Sequence, residues 1–372
     1  MMARLLFTII LSSIMLVPCI AQNNDIMLNA SSDSKPREIS LGLPTNNYSA
    51  VQIYEDGLPV SYFKYQMFPY KSWHGGVSAS ATGKMAPMET AMRYGEVNNY
   101  VNSYNKLWSH VVRNSLHYTI GTFGQHKIDY NISGLMPKSR VGVSLSTYQN
   151  FDPGSNHLDQ TKWKDRHQFY KAGIIKIFEG DNRYMSFVYQ HVNYMSISEN
   201  YGPFIFAGNG NVKQVKGFSL GKDTYLPDMM KMEIENFKTG EKQEVDLKKG
   251  STDKTHHLTY TFNYQLNDNI TLSYKSRLKL ARAYRQMHNI SGAETVREEA
   301  GYSYKDGKTF VGQLQRRTLT QYDSYDNTWM NNAEMLWQGV ANNVVLGIDY
   351  YYDRARTTAS SASSSGSSPR LA

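Results

Sequence analysis

Three cations stand at alternate positions of one short stretch, "DNITLSYKSRLKL": Lys275, Arg277 and Lys279. On an extended strand they climb one face in steps of about 7 Å, a spacing that lets an anion pass along them without a single tight site. Arg316 or Arg317 on a later strand extends that cationic face. The same charges have a plainer use, as partners for carboxylates such as Glu55, Asp56 and Glu96. A second group is aromatic. In "SYFKYQMFPYKSWHGG", Tyr62, Tyr65, Tyr70 and Trp73, with Phe63 and Phe68, offer rings that stack on a sugar, a porphyrin-like ring or an aryl chelate, or that pack between two layers of the fold. His256 and His257 are adjacent, so on a strand they face opposite ways and do not share a ligand. His74 is isolated, and the single cysteine, Cys19, joins no cluster, so neither a metal site nor a cofactor is expected. There is no GxSxG, no P-loop and no supported pair of catalytic carboxylates, and the chain reads as a non-enzyme with no catalytic residue.

These residues need elements to position them. In "HHLTYTFNYQLNDNITLSYKSRLKL", Leu258, Tyr260, Phe262 and Tyr264 alternate with Thr259, Thr261, Asn263 and Gln265. After a short turn, Ile270, Leu272, Tyr274, Leu278 and Leu280 alternate with Thr271, Ser273 and the three cations. Period two on both arms is an antiparallel hairpin with one apolar and one polar face. From residue 124 the chain repeats strand, short turn, strand, long connection, which gives ten strands in five hairpins. One hairpin is expected at Asp306-Gly307, a strong two-residue turn signal. The long connections are expected at 149–167, 197–255, 282–296 and 320–331. Short turns on one rim and long loops on the other, with strands of about 9 to 12 residues, suit an up-and-down transmembrane barrel whose polar face meets a water-filled lumen. A soluble sandwich uses the same alternation, but strand length, loop asymmetry and Tyr at strand ends, as in Tyr350–Tyr352, favour the barrel.

The N-terminal "MMARLLFTIILSSIMLVPCIAQ" has one cation, a short apolar run and small residues near Ala21, the layout of a signal peptide. Later segments contain no apolar run long enough for a membrane helix, which leaves strands open. The net charge is +8, or +7 without Arg4, and export makes nucleic acid an improbable partner. The 28 tyrosines suit half-buried strands and water–apolar boundaries. The expected division is a signal peptide at 1–21, a linker at 22–37, a small α/β domain at 38–123, barrel strands at 124–356 and a disordered Ser-rich tail at 357–372. A helix is expected within "APMETAMRYGEV".

An exported α/β segment ahead of alternating hairpins resembles the TonB-dependent outer-membrane receptors, especially those of Bacteroides-like bacteria. "IYEDGLPVSY" is similar to the plug strand that ends in Asp-Gly-Val/Leu-Pro-Val, through Asp56, Gly57, Leu58, Pro59 and Val60. "AMRYG" resembles the closing plug motif through Ala91, Met92, Tyr94 and Gly95. Leu41 stands where the family has Arg, Glu96–Tyr100 replaces a Gly-rich stretch, and no TonB box is visible. The resemblance implies a mainly β fold, in which a shortened α/β plug domain is followed by antiparallel up-and-down barrel hairpins forming a partial barrel. The family barrel has 22 strands, and ten could not close around a domain of about 90 residues, so a fragment is expected. It further implies energy-coupled uptake of an iron chelate, cofactor or glycan at the outer membrane. The implied partners are the inner-membrane TonB complex, outer-membrane lipid, the small-molecule or glycan ligand and a surface lipoprotein. A surface binding or adhesion barrel without transport is the alternative. A hydrolase barrel would need His288 beside a Ser or Asp at the outer rim.

Overall fold

The computed structural model describes residues 51–60, 69–84, 99–154, 162–179, 182–197, 204–214, 219, 231–235, 240–303 and 306–366. The expected signal peptide, linker and helix-capable stretch Ala86–Val97 lie outside them, as do Tyr62 and Tyr65. The protein is mainly β, with antiparallel ladders throughout its larger sheet. A small sheet contains β1 (Val51–Glu55), β2 (Leu58–Pro59), β3 (Ala79–Lys84) and β4 (Asn99–Asn105) in the order β2-β1-β4-β3. β1 runs parallel to β4, while β2 and β3 are antiparallel edges. Pro59 is tolerated in β2 because an edge strand can spare one donor. Ile53, Val60, Trp73 and Val101 form the core of this unit.

The large sheet has nine strands: β5 (Arg113–Ile120), β6 (His126–Met136), β7 (Val141–Asp152), β8 (Asp165–Ile177) and β9 (Tyr184–Ser196), then β14 (Ser251–Asn267), β15 (Ile270–Val296), β16 (Gly312–Gln338) and β17 (Asn343–Gly366). Between β9 and β14 lie two small hairpins, β10 (Phe204–Gly208) with β11 (Asn211–Gln214), and β12 (Lys231–Glu235) with β13 (Lys242–Asp246). The second folds onto the rim through Ile234, Val245 and Leu247 against Ile197 and Leu319. The nine strands pair in chain order with β5 and β17 as open edges. Short turns join β6 to β7, β8 to β9, β14 to β15 and β16 to β17, and longer connections leave the opposite rim after β7, β9 and β15.

The strand inventory departs from the sequence expectation in four places. β5 belongs to the large sheet although its residues were assigned to the small domain. Asp306-Gly307 turns a loop rather than a sheet hairpin, and the described residues around it make one isolated bridge, Ser303↔Thr309. Residues 320–331, expected as a loop, are the middle of β16, and 282–296 lie within β15, so nine strands stand in place of ten. The Ser-rich tail expected to be disordered pairs with β16 as far as Gly366. The last two share a reason: β15, β16 and β17 continue well past the apolar run. Out there a ladder is held by backbone pairing, which Asp, Asn and Ser do not prevent.

The two faces of the hairpin separate as its alternation requires. Leu258, Leu278 and Leu280 are exposed on one face, while Thr259, Thr261, Arg277 and Lys279 are buried on the other. His256 is exposed and His257 buried, as adjacent strand residues must be. The outward apolar runs extend from Leu258 to Leu266 on β14, Ile270 to Leu280 on β15 and Val344 to Tyr352 on β17. Each is close to the 9–11 residues that a tilted strand needs to cross hydrocarbon.

Candidate functional site

β1 and β2 are joined by the two-residue turn Asp56-Gly57, both in the left-handed region at φ 53° and 79°. This is the tight hairpin turn for which Asp-Gly is suited. The turn presses against the wall: a Cβ on Gly57 would lie 2.4 Å from Lys275 Nζ, so glycine makes room for that ammonium. Beside it, Arg277 is fully buried. Its Nη1 donates to the carbonyls of Leu58 (3.3 Å) and Pro59 (3.0 Å). Its Nη2 donates to the Glu55 carbonyl (3.1 Å) and lies 3.4 Å from Glu55 Oε2, and its Nε donates to Thr259 Oγ1 (2.9 Å). Both terminal nitrogens of the guanidinium hold one hairpin of the small sheet, while Nε is anchored on the wall.

Glu55 has a second cationic partner from the wall, Lys171 on β8, whose Nζ lies 2.6 Å from Oε1 and also donates to Asn105 Oδ1. Burial alone would raise the Glu55 pKa, but Lys171 and Arg277 outweigh it and hold the carboxyl below its ordinary value. Asp56 goes the other way: burial, then the charge of Glu55, push it up. Asp56 accepts from the Asn105 backbone N–H at 2.9 Å and from its side-chain amide.

A second contact involves residues 71–77. His74 Nε2 lies 2.8 Å from Asp129 Oδ2 on β6, and the ring stacks on Tyr148 at 3.7 Å. The Val77 N–H donates to the same Asp129 oxygen at 3.0 Å. A Cβ on Gly76 would fall 1.7 Å from it, so this approach requires glycine. Wall side chains also reach backbone: His167 Nε2 lies 2.9 Å from the Lys71 carbonyl, and Gln190 Nε2 donates to that of Ser72 at 2.6 Å.

The candidates read from sequence divide accordingly. Arg277 and Lys279 both face inward but are spent on carboxylates, Lys279 on Asp326 of β16 at 2.9 Å, so neither is a loose step for an anion. Lys275 lines a cavity of about 430 Å³ near the short-turn rim, together with Asp56, Asn105, Tyr184 and Glu334. Trp73 is buried in the core of the small sheet and donates its Nε1–H to Ser103 Oγ at 2.9 Å, so its ring is not presented for stacking. Tyr70 lies in the 3-10 turn Pro69–Ser72. His288 is buried on β15. His74, solitary in sequence, gains its partner only through the fold. Lys171 escaped notice although "QFYKAGIIKI" carries it on the parity of Phe169 and Ile175, which face inward. Among the described residues, no group of three or more His, Cys, Asp or Glu is placed to hold a metal.

No family model and no curated protein sequence matches the chain. Solved structures similar to it include the ferric preacinetobactin receptor of Acinetobacter baumannii, with 9% identity over 84% of this chain and 41% of that one and a TM-score of 0.49. Others are the ferric yersiniabactin uptake receptor of Yersinia pestis (10% identity, 84% and 53% covered, TM-score 0.44) and the open form of the ferric-catecholate import receptor of E. coli K12 (11%, 84% and 60%, TM-score 0.43). The chain spans less than two thirds of the length of each.

Proposed function

We propose that the protein is an outer-membrane receptor that takes up a nutrient ligand, an iron chelate, cofactor or glycan, in an energy-coupled step with no chemistry on the ligand. The observation that carries this reading is the character of the contact between the small sheet and the wall. The small sheet has its own apolar core, and it meets the wall through ion pairs and hydrogen bonds to Glu55, Leu58, Pro59, Lys71, Ser72 and His74. Polar contacts of this kind hold a body in place yet separate without exposing a dry interface to water. The outward apolar runs support a position in the membrane. The inner-membrane TonB complex is the proposed energy source.

The test is uptake by cells producing the protein, with ferric chelates, corrinoids and oligosaccharides as labelled probes. Cell-surface binding should survive collapse of the inner-membrane proton gradient while accumulation stops. Accumulation that continues would contradict energy coupling. A second reading, surface binding without transport, draws on the connection from 197 to 250 and its two hairpins. It predicts binding without accumulation in either condition.

A further inference from the structure

We propose that Lys254, Arg282, Arg354 and Arg356 form a binding surface for phosphate-bearing lipid headgroups in the leaflet on the long-connection side. The inference rests on the membrane reading above. Ladder register brings the four together. Lys254 on β14 is directly opposite Arg282 on β15, Arg282 opposite Tyr325 on β16, and Tyr325 opposite Arg356 on β17. Arg354 is one outward step nearer the apolar run, opposite Asn327. All four are exposed. With strands about 4.8 Å apart, they occupy a patch about 15 Å wide.

Their level is the argument. On β15 the last outward apolar residue is Leu280 and the next outward residue is Arg282; on β17, Tyr352 is followed by Arg354 and then Arg356; on β14, Leu258 is followed by His256 and then Lys254. Three strands therefore each change from apolar to cationic along their length, as strands do where they leave hydrocarbon for headgroups.

Their lack of compensation points the same way. Like charges directly opposite on adjacent strands are destabilising, yet Lys254 and Arg282 are so placed. Among the described residues none of the four has a carboxylate within ion-pair distance. On this outward face the nearby acid in the ladder is Asp323, a step further from the apolar run and opposite Tyr284 and Thr358. Several cations elsewhere are spent. Inward, Lys171, Arg277 and Lys279 hold carboxylates. At the short-turn rim, Arg140 donates to the Phe178 carbonyl, Lys176 to that of Ser139 and Arg183 to that of Gln265. An unpaired cluster at headgroup height matches a multiply charged phosphate, which relieves the repulsion and accepts from several donors at once.

Outward Trp329 sits one register step below Asn327 and supplies a reporter. The full chain would be inserted in phosphatidylcholine vesicles containing about one part in five of a brominated lipid, either phosphatidic acid or phosphatidylcholine. Brominated phosphatidic acid should quench tryptophan more strongly. The variant Lys254→Gln with Arg282→Gln, Arg354→Gln and Arg356→Gln should lose that preference, by about fivefold in relative affinity for each cation removed. Exchanging the cations, Lys254→Arg with Arg282→Lys, should retain it, and inorganic phosphate should not abolish it. Equal quenching by the two lipids, a preference unchanged in the glutamine variant, or displacement by free phosphate would each overturn the proposal. Absence of quenching by either lipid would instead overturn the membrane reading itself.

Discussion

At the residue scale, Glu55 is the point where two wall cations and the small sheet meet. Its carboxyl is held below the ordinary value of 4.5, so its stabilising contribution is present above that value and is lost as pH falls through the lower folded-state pKa. Asp56 has the opposite sign. Its raised pKa means that the fold favours its protonated form, and that contribution fades as pH rises through the folded value. The Glu55 contribution to the urea midpoint of the small sheet, measured across the acid range, should therefore fall with decreasing pH in the native chain. Glu55→Gln should start lower and lack that fall, because the titrating partner of Lys171 and Arg277 is gone. A parallel pH profile in the variant would show that another group governs the contact.

At the element scale, the sequence was legible where one face of the long hairpins met apolar surroundings, though not at β5. The alternation around Leu258 and Leu278 assigned both faces of that hairpin, and the four short turns fell where the chain reverses. What alternation could not carry was strand length beyond the apolar run. "QYDSYDN" and "SSASSSG" read as loop and tail because their side chains are polar, yet both are paired in the ladder. Long-range pairing also hid the site: nothing local links Glu55 to Lys171 or His74 to Asp129, although the Asp-Gly turn that presents Glu55 was visible. Proline tests the continuity of β16. Thr328→Pro, placed between Lys279 and Asp353 in the ladder, should cost about 3 kcal/mol or more because it removes a donor from a central strand. Val340→Pro, in the exposed turn after β16, should change stability by less than about 1 kcal/mol. Thermal unfolding of both variants in detergent would compare them, and equal tolerance would mean that the centre of β16 is not a paired strand.

At the scale of the whole molecule, the account describes two bodies: a nine-stranded wall with an apolar exterior, and a small sheet secured to its inner surface by buried charges. Opening one such pair by removing a partner costs about 3–5 kcal/mol, since the other charge is left buried and alone. The contact is therefore firm, while the small sheet keeps an apolar core of its own. Amide hydrogen exchange in a double-mutant cycle of Glu55→Gln and Arg277→Gln tests this most directly. The account predicts faster exchange across Val51–Glu55 and Asn99–Asn105 in each single variant, unchanged exchange in β8 and β9, and a double variant less costly than the sum by about 1.5 kcal/mol or more. Additive effects, or small-sheet amides that open only together with the wall, would contradict it.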